Sequence, residues 1–341
     1  MIERYDYNLL KHNTFGIDAK CRRFLEYAST HEAVQLVGML TEADRPLLII
    51  GQGSNLLLTG DYQGTVITPQ NRFEAEILTQ PSASGQVLLR CWAGTTFDDV
   101  VEFAVTHGLY GAENLSLIPG EVGASAVQNI GAYGAEACDI IHHVEAVEIT
   151  TGRVLTFSNA DCAYSYRQSR FKREWKDRFL ITHVTYQLSR TFAPRLDYGN
   201  IRARLAEKQI GHPTARELRE TIIEIRRAKL PDPEKEGNAG SFFMNPVVSR
   251  AKYEELEARF PGLPHYTVDA DHEKIPAGWM IDQCGWKGRS LGRAGVHDRQ
   301  ALVLVNRGGA TGQEIVQLCE AVRRDVFSKF GIEIHPEVNI R

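Results

Sequence analysis

Apolar and polar positions change period several times along the chain, and each change marks an element. Between His31 and Asp44, Val34, Val37 and Leu40 recur at three-residue intervals, which predicts a helix over 31–44. Pro46 is followed by the apolar run L-L-I-I, then by G-Q-G-S-N at 51–55 and a second run, L-L-L. That order reads as strand, tight turn and apolar run, without a helix after the turn. Residues 65–68 and 87–92, and the alternating stretches 144–149 and 180–188, predict further strands. Thr95 or Thr96 caps a helix that runs through Ala104 and ends near Gly108. Two capping boxes follow. Thr214 and Glu217 precede Leu218, Ile222 and Ile225, in a helix stopped by P-D-P at 231–233. Thr311 and Glu314 open another through Ile315, Leu318, Val322 and Val326, ending at Gly331. Short helices are expected at 249–259 and 277–284. The last segment, 332–340, alternates with period two, placing Glu333, His335, Glu337 and Asn339 on one face of a strand.

Length and composition narrow the class. A chain of 341 residues suggests two or three domains, and 43% hydrophobic with 24% charged residues is ordinary globular usage that argues against disorder. Lys+Arg 39 against Asp+Glu 43 leaves a net charge of −4, so no net basic field gathers nucleic acid. Cys21, Cys91, Cys138, Cys162, Cys284 and Cys319 are scattered without a C-x-x-C pair. This spacing excludes a redox dithiol or clustered zinc site and predicts reduced thiols, with no metal. No apolar run approaches the ~18 residues of a membrane span, and the N-terminus lacks the apolar core of a signal peptide. A soluble cytoplasmic chain is therefore expected.

The glycines, 29 in all, matter by position. Gly51 and Gly53 fit G-x-G, but Leu56 stands where a dinucleotide fingerprint needs its third glycine, and no helix follows. No G-x-x-x-x-G-K-[ST] occurs. What remains is a plain hairpin turn or a turn whose backbone N–H groups form an anion-binding concavity, with Ser54 and Asn55 adding donors. In 119–134, Gly120, Gly123, Gly131 and Gly134 alternate with small residues and with Gln128, Asn129 and Tyr133. Such a segment has little side-chain area to bury. It reads as a strained surface loop or as backbone approaching a flat ligand, its amides reading a polar edge. Two such segments favour a large, phosphate-bearing cofactor.

Taken in order, N-T-F-G at 13–16, G-Q-G-S-N at 51–55, I-P-G-E-V-G-A at 118–124, Q-N-I-G-A-Y-G at 128–134 and Y-R-Q-S-R-F at 166–171 resemble one family, the UDP-N-acetylenolpyruvoylglucosamine reductases. So do K-L-P-D-P at 229–233, G-N-A-G-S-F-F-M-N-P at 237–246 and H-P-E-V at 335–338. L-D-Y-G-N at 196–200 resembles the tyrosine-bearing loop of the type I members. The resemblance implies an α+β fold: a two-lobed FAD-binding domain of the vanillyl-alcohol-oxidase (PCMH) type and a smaller α/β substrate-binding domain. Lobe 1 is expected over 1–70 with the C-terminal strand 332–341, lobe 2 over 71–213 including the tyrosine loop 190–213, and the substrate domain over 214–331. It implies FAD and NADPH as cofactors, and reduction of UDP-N-acetylglucosamine enolpyruvate to UDP-N-acetylmuramate in peptidoglycan precursor synthesis, by a monomer. Two alternatives stand beside it: another flavin oxidoreductase on the same cofactor fold, and a nucleotide-binding protein without turnover.

The resemblance also assigns residues. Ser241 matches the proton donor, although from chemistry alone a serine there is a cap or turn residue. Arg167 matches the arginine that pairs with the substrate carboxylate, a task suited to a planar guanidinium, unless it belongs to a basic patch with Arg170, Lys172 and Arg173. Glu337 matches a carboxyl that stabilises or protonates the intermediate; otherwise it is solvated on the last strand. Gly51, Gly53, Ser54, Asn55, Pro119, Gly120, Gly123, Ala124, Gln128, Asn129, Gly131 and Ala132 are expected at FAD. Tyr133, Tyr198, Lys229, Asn245 and Gln300 are expected at the nucleotide-sugar substrate. The chain departs from the family pattern at Gln52, Glu121, Met244 and Asn339, and an acid at 121 is an odd neighbour for a phosphate loop.

Overall fold

In the computed structural model, which describes residues 1–78 and 85–341, the chain divides into two compact units. The first comprises Met1–Tyr7, Cys21–Gln52 and Gln63–Ala228, and the second Asn8–Lys20, Gly53–Tyr62 and Lys229–Arg341. This division departs from the boundary expected at 214. The helix Ala215–Lys229 buries Leu218, Ile222 and Ile225 against Ile201 and Leu205 of the first unit.

The first unit is built on two sheets. One orders Ile2–Asn8, Lys20–Tyr27, Tyr62–Pro69 and Leu47–Ile49, the last two pairing in parallel. The other is antiparallel, ordered Val154–Ser158, Ile141–Glu148, Phe179–Ser189, Gln86–Trp92 and Ala75–Leu78. Alternate residues of its strands, including Val144, Ala146, Leu89, Cys91 and Val184, enter one core with Phe97, Val101 and Ala104 of the helix Phe97–Thr106. That helix starts after Thr96, whose side chain makes no cap bond; its hydroxyl accepts from Gln52 Nε2 instead.

Three expectations change here. The helix expected over 31–44 spans only Thr30–Met39, capped by Ser29, because Thr41 and Asp44 form a capping box of their own that starts a separate turn. The glycine-rich segment, expected to lack packing area, contains the helix Val122–Gln128, with Val122 and Ala126 fully buried. Its small residues are the reason it fits. The Gly123 N–H donates to Ala93 O at 2.9 Å, and a Cβ on Gly123 would meet the Ala93 side chain at 3.1 Å. Thirdly, 332–340 is a strand only at Asn339–Ile340, although Ile332, Ile334 and Val338 are buried and Glu333, His335 and Asn339 exposed in the expected alternation.

The second unit contains an antiparallel sheet ordered Gly237–Asn238, Leu304–Asn306, Ala294–Val296 and Ser290–Leu291. Against it lies the helix Gly312–Phe330, whose Thr311–Glu314 capping box and left-handed Gly331 end are both present as predicted. Val247–Ser249, His272–Lys274 and Tyr266–Thr267 form a smaller sheet beside the helices Arg250–Arg259 and Ala277–Gln283. Asn339–Ile340 pairs in parallel with Leu56–Leu57. The six cysteines are unpaired. Among the described residues, no helix is long and apolar enough to cross a membrane.

Gly53 has φ +68°, and a Cβ there would lie 2.1 Å from His12 O. Gly53→Ala is therefore expected to cost about 3 kcal/mol, from left-handed strain plus a backbone clash that only a shift of residues 12–14 relieves. Chemical denaturation of the cofactor-free protein measures it; a loss below about 1 kcal/mol contradicts this packing.

Candidate active site

The first unit gathers Gly131, Tyr133, Arg167 and Tyr198. The Q-N-I-G-A-Y-G segment leaves its helix through Asn129, left-handed at φ +47° and fully buried. The Asn129 side chain is taken up internally: Nδ2 donates to Glu136 Oε2 at 2.9 Å and Ser165 O at 3.0 Å, and Oδ1 accepts from Cys138 N. This ties the turn to the segment carrying Arg167. Arg167, itself at φ +55°, donates to Gly131 O at 2.5 Å and Asn129 O at 3.3 Å. A Cβ on Gly131 would lie 2.8 Å from Arg167 Nη1, so the bare glycine is what lets the guanidinium lie along this backbone. Lys172 Nζ reaches Gln128 Oε1 at 2.7 Å and Arg167 O at 3.0 Å. The basic cluster seen in the sequence thus includes a residue that braces this turn.

Tyr133, at φ +49°, stacks edge-on with Tyr198, ring centroids 6.4 Å apart. Asn114 Nδ2 holds Tyr133 O and Arg195 O together, drawing the tyrosine loop onto the G-A-Y-G turn. Tyr198 remains about half exposed (47%), so its ring is presented to solvent from a braced backbone.

Gly51, Gln52, Pro119, Gly120, Gly123, Ala124 and Glu121 lie in the same unit. Glu121 is 3% exposed; Oε1 accepts from Asn71 Nδ2 at 3.1 Å, and Oε2 has no partner among the described residues. A Cβ on Gly51 would lie 2.7 Å from that Oε2. Burial pushes the Glu121 carboxyl up to about 8, with Asn71 opposing and Glu26 adding to the rise. That Oε2 packs on Gly51, whereas the Gly51 and Gln52 N–H groups have no backbone acceptor among the described residues, a donor set that a phosphate-bearing cofactor can take up. On this observation the first unit fits FAD.

In the second unit, the G-N-A-G-S segment is shaped by N-T-F-G. Asn238 N donates to Thr14 O at 2.9 Å, and Thr14 Oγ1 donates to Asn238 O at 2.6 Å. A Cβ on Gly237 would fall 2.2 Å from Phe15 O. Gly240, at φ +68°, then turns the chain and presents Ser241 at the surface. Phe242 N donates to Leu302 O, while Glu337 N donates to Phe242 O and Met244 N to His335 O. These bonds place the Ser241 and Glu337 segments side by side. Asn55 joins them, its Nδ2 donating to Glu337 O at 3.4 Å and its carbonyl accepting from Asn339. Asn245 Oδ1 accepts from Ala277 N at the start of a helix, and Gln300 Oε1 from Leu302 N. Lys229 is exposed at the end of its helix.

Sequence reasoning left out Asn71 and Asn114 and saw Lys172 only as part of a basic patch; all three hold these turns. Each is an ordinary polar residue in no glycine motif, and only the fold brings it to the site.

The chain is 52% identical over 334 residues to the UDP-N-acetylenolpyruvoylglucosamine reductase of Bacteroides fragilis strain YCH46, covering 98% of each. It belongs to the UDP-N-acetylenolpyruvoylglucosamine reductase family. The reductase of that name from Neisseria gonorrhoeae strain ATCC 700825 / FA 1090 is 45% identical over 338 residues, 98% of this chain and 96% of that one. Residues 22–158 match the FAD binding domain family, and residues 232–341 match the UDP-N-acetylenolpyruvoylglucosamine reductase C-terminal domain. The crystal structure of UDP-N-acetylenolpyruvylglucosamine reductase from Thermus caldophilus superposes with TM-score 0.67 at 21% identity, over 99% of this chain and 98% of that one, so the reductase family's fold spans it.

Proposed function

We infer that the chain is an NADPH- and FAD-dependent oxidoreductase, the UDP-N-acetylmuramate dehydrogenase of peptidoglycan precursor synthesis. It reduces UDP-N-acetylglucosamine enolpyruvate to UDP-N-acetylmuramate. The likeness to reductases of that name along nearly the whole chain carries this reading. The presence of Ser241, Arg167 and Glu337 in their motifs supports it.

FAD, when bound, supplies the hydride relay from NADPH to the enolpyruvyl double bond. Negative charge then builds on the carbon alpha to the substrate carboxylate, and the protein must spread that charge and deliver a proton. The Arg167 guanidinium pairs with the carboxylate, its position set by Gly131 O and Asn129 O. The Ser241 hydroxyl gives the proton, and Glu337, on the neighbouring segment, stabilises the same intermediate. Tyr133, Tyr198, Lys229, Asn245 and Gln300 hold the nucleotide sugar. FAD lies against residues of 1–213, with Asn129 acting through the turn it braces. The segment from Lys229 onward carries the substrate domain, and the enzyme works as a cytoplasmic monomer.

NADPH oxidation followed at its absorbance band tests the assignment. Oxidation is expected to depend on added UDP-N-acetylglucosamine enolpyruvate and to yield UDP-N-acetylmuramate. A rate unaffected by that substrate rejects it in favour of another flavin oxidoreductase, and a preparation that stays colourless with added FAD rejects both.

A further inference from the structure

Ser241 stands where the G-N-A-G-S-F-F segment leaves the core for one residue. Asn238 and Ala239 are buried, Gly240 is half-buried, Ser241 is exposed and Phe242 is fully buried again. Beyond the serine, the chain is fixed by Phe242 N donating to Leu302 O at 2.8 Å. Before it, the fixing falls to Asn238, whose main-chain and side-chain polar groups are all taken up. Its backbone is bonded to Thr14 on both sides, through N and O, and pairs in the sheet with Val305. Its side chain closes on its own segment: Nδ2 donates to Glu236 O at 2.8 Å, and Oδ1 accepts from Gly240 N at 2.9 Å. An asparagine oxygen that takes the N–H two residues onward closes an Asx turn and stands in for a backbone hydrogen bond. That turn delivers the chain to Gly240 in the left-handed region, at φ +68°, and Ser241 follows. A Cβ on Gly240 would meet nothing within 4 Å, so packing does not hold this turn; the Asn238 bond does.

We propose that Asn238 is the positioning residue for Ser241, its Asx turn setting where the serine hydroxyl stands when the substrate carbon takes its proton. The inference rests on the reading of Ser241 as proton donor and adds the group that aims it. Among the described residues the Ser241 hydroxyl has no hydrogen-bond partner, so the backbone alone sets its place. Serine is a weak acid and has no driving force to spare, and a carbon acceptor offers its charge only above and below one plane. Alignment therefore carries the step, and a misplacement of about 1 Å costs about a hundredfold.

The test is stopped-flow absorbance of the flavin band in the holoenzyme, following reduction by NADPH and reoxidation by UDP-N-acetylglucosamine enolpyruvate. In Asn238→Ala, reduction is expected within about twofold of the wild type and reoxidation about fiftyfold slower. Asn238→Ser keeps an oxygen that accepts from the N–H of residue 240, and is expected to recover to within about fivefold of the wild type. Loss of folded protein alone lowers the amplitude of the signal and leaves its rate constant unchanged. Because Asn238 acts through Ser241, the double variant Asn238→Ala, Ser241→Ala is expected to reoxidise within about twofold of Ser241→Ala. Reoxidation of Asn238→Ala within about threefold of the wild type, no recovery in Asn238→Ser, or a double variant slowed by the product of the single effects overturns the proposal. A slow Ser241→Ala leaves the donor reading standing in each of those cases, whereas Ser241→Ala at the wild-type rate overturns both. If Asn238→Ala does not fold, Thr14→Val loosens the same turn by removing the Oγ1 bond to Asn238 O. It is then expected to reoxidise about tenfold slower with normal reduction, and reoxidation at the wild-type rate overturns the proposal.

Discussion

With Ser241 replaced by alanine, NADPH is expected to bleach the flavin at an unchanged rate, while reoxidation by the enolpyruvyl substrate slows about a thousandfold. The two half-reactions separate because only the second needs a proton placed on carbon. The substitution removes that donor with little else. Ser241 lies exposed after a glycine turn, and its neighbours Phe242 and Met244 are held through backbone bonds to Leu302 O and His335 O that alanine leaves intact. Stopped-flow absorbance of the flavin band resolves the two steps. Reoxidation at the wild-type rate would show that the proton comes from elsewhere.

Arg167→Lys is expected to lower kcat/KM for the enolpyruvyl substrate about a hundredfold with FAD content unchanged. Charge is preserved in this variant, so the loss measures geometry. The guanidinium has five donors in one plane and can hold Gly131 O and Asn129 O while engaging a carboxylate; an ammonium on a flexible stem cannot do both. Steady-state kinetics with NADPH saturating measures the effect. Turnover within threefold of the wild type would remove Arg167 from carboxylate recognition.

Elements whose signals are local were legible in the sequence. Both capping boxes, at Thr214–Glu217 and Thr311–Glu314, form with the reciprocal bonds their spacing requires. The helix Val122–Gln128 was not legible, because its glycines and alanines give no apolar stripe and its fit depends on Ala93, distant in sequence and brought alongside only by folding. The exposed first strand, Ile2–Asn8, was missed for a related reason: its side chains alternate between no core and solvent. In the site, glycines announced that something unusual occurs without saying what. Gly51 leaves room for Glu121, Gly131 for Arg167, and Gly53 and Gly237 for other stretches of backbone. A missing side chain looks the same in sequence whether a ligand, a guanidinium or a carbonyl takes its place. The resemblance named Ser241, Arg167 and Glu337, but only the fold shows what braces them.

The interleaving of the two units bears on how the chain is made. The second unit needs Asn8–Lys20 and Gly53–Tyr62 as well as the segment from Lys229 onward. Its parallel pairing of Leu56–Leu57 with Asn339–Ile340 closes a loop of nearly the full chain. Early residues of the second unit must therefore wait, with apolar Leu56, Leu57 and Leu58 lacking their final neighbours, until Asn339 and Ile340 leave the ribosome. Synthesis from the N-terminus cannot complete the units one after the other. Closure of that long loop is an expected bottleneck of folding, and the same residues then serve the site, since Asn55 and Glu337 flank the pairing that closes it.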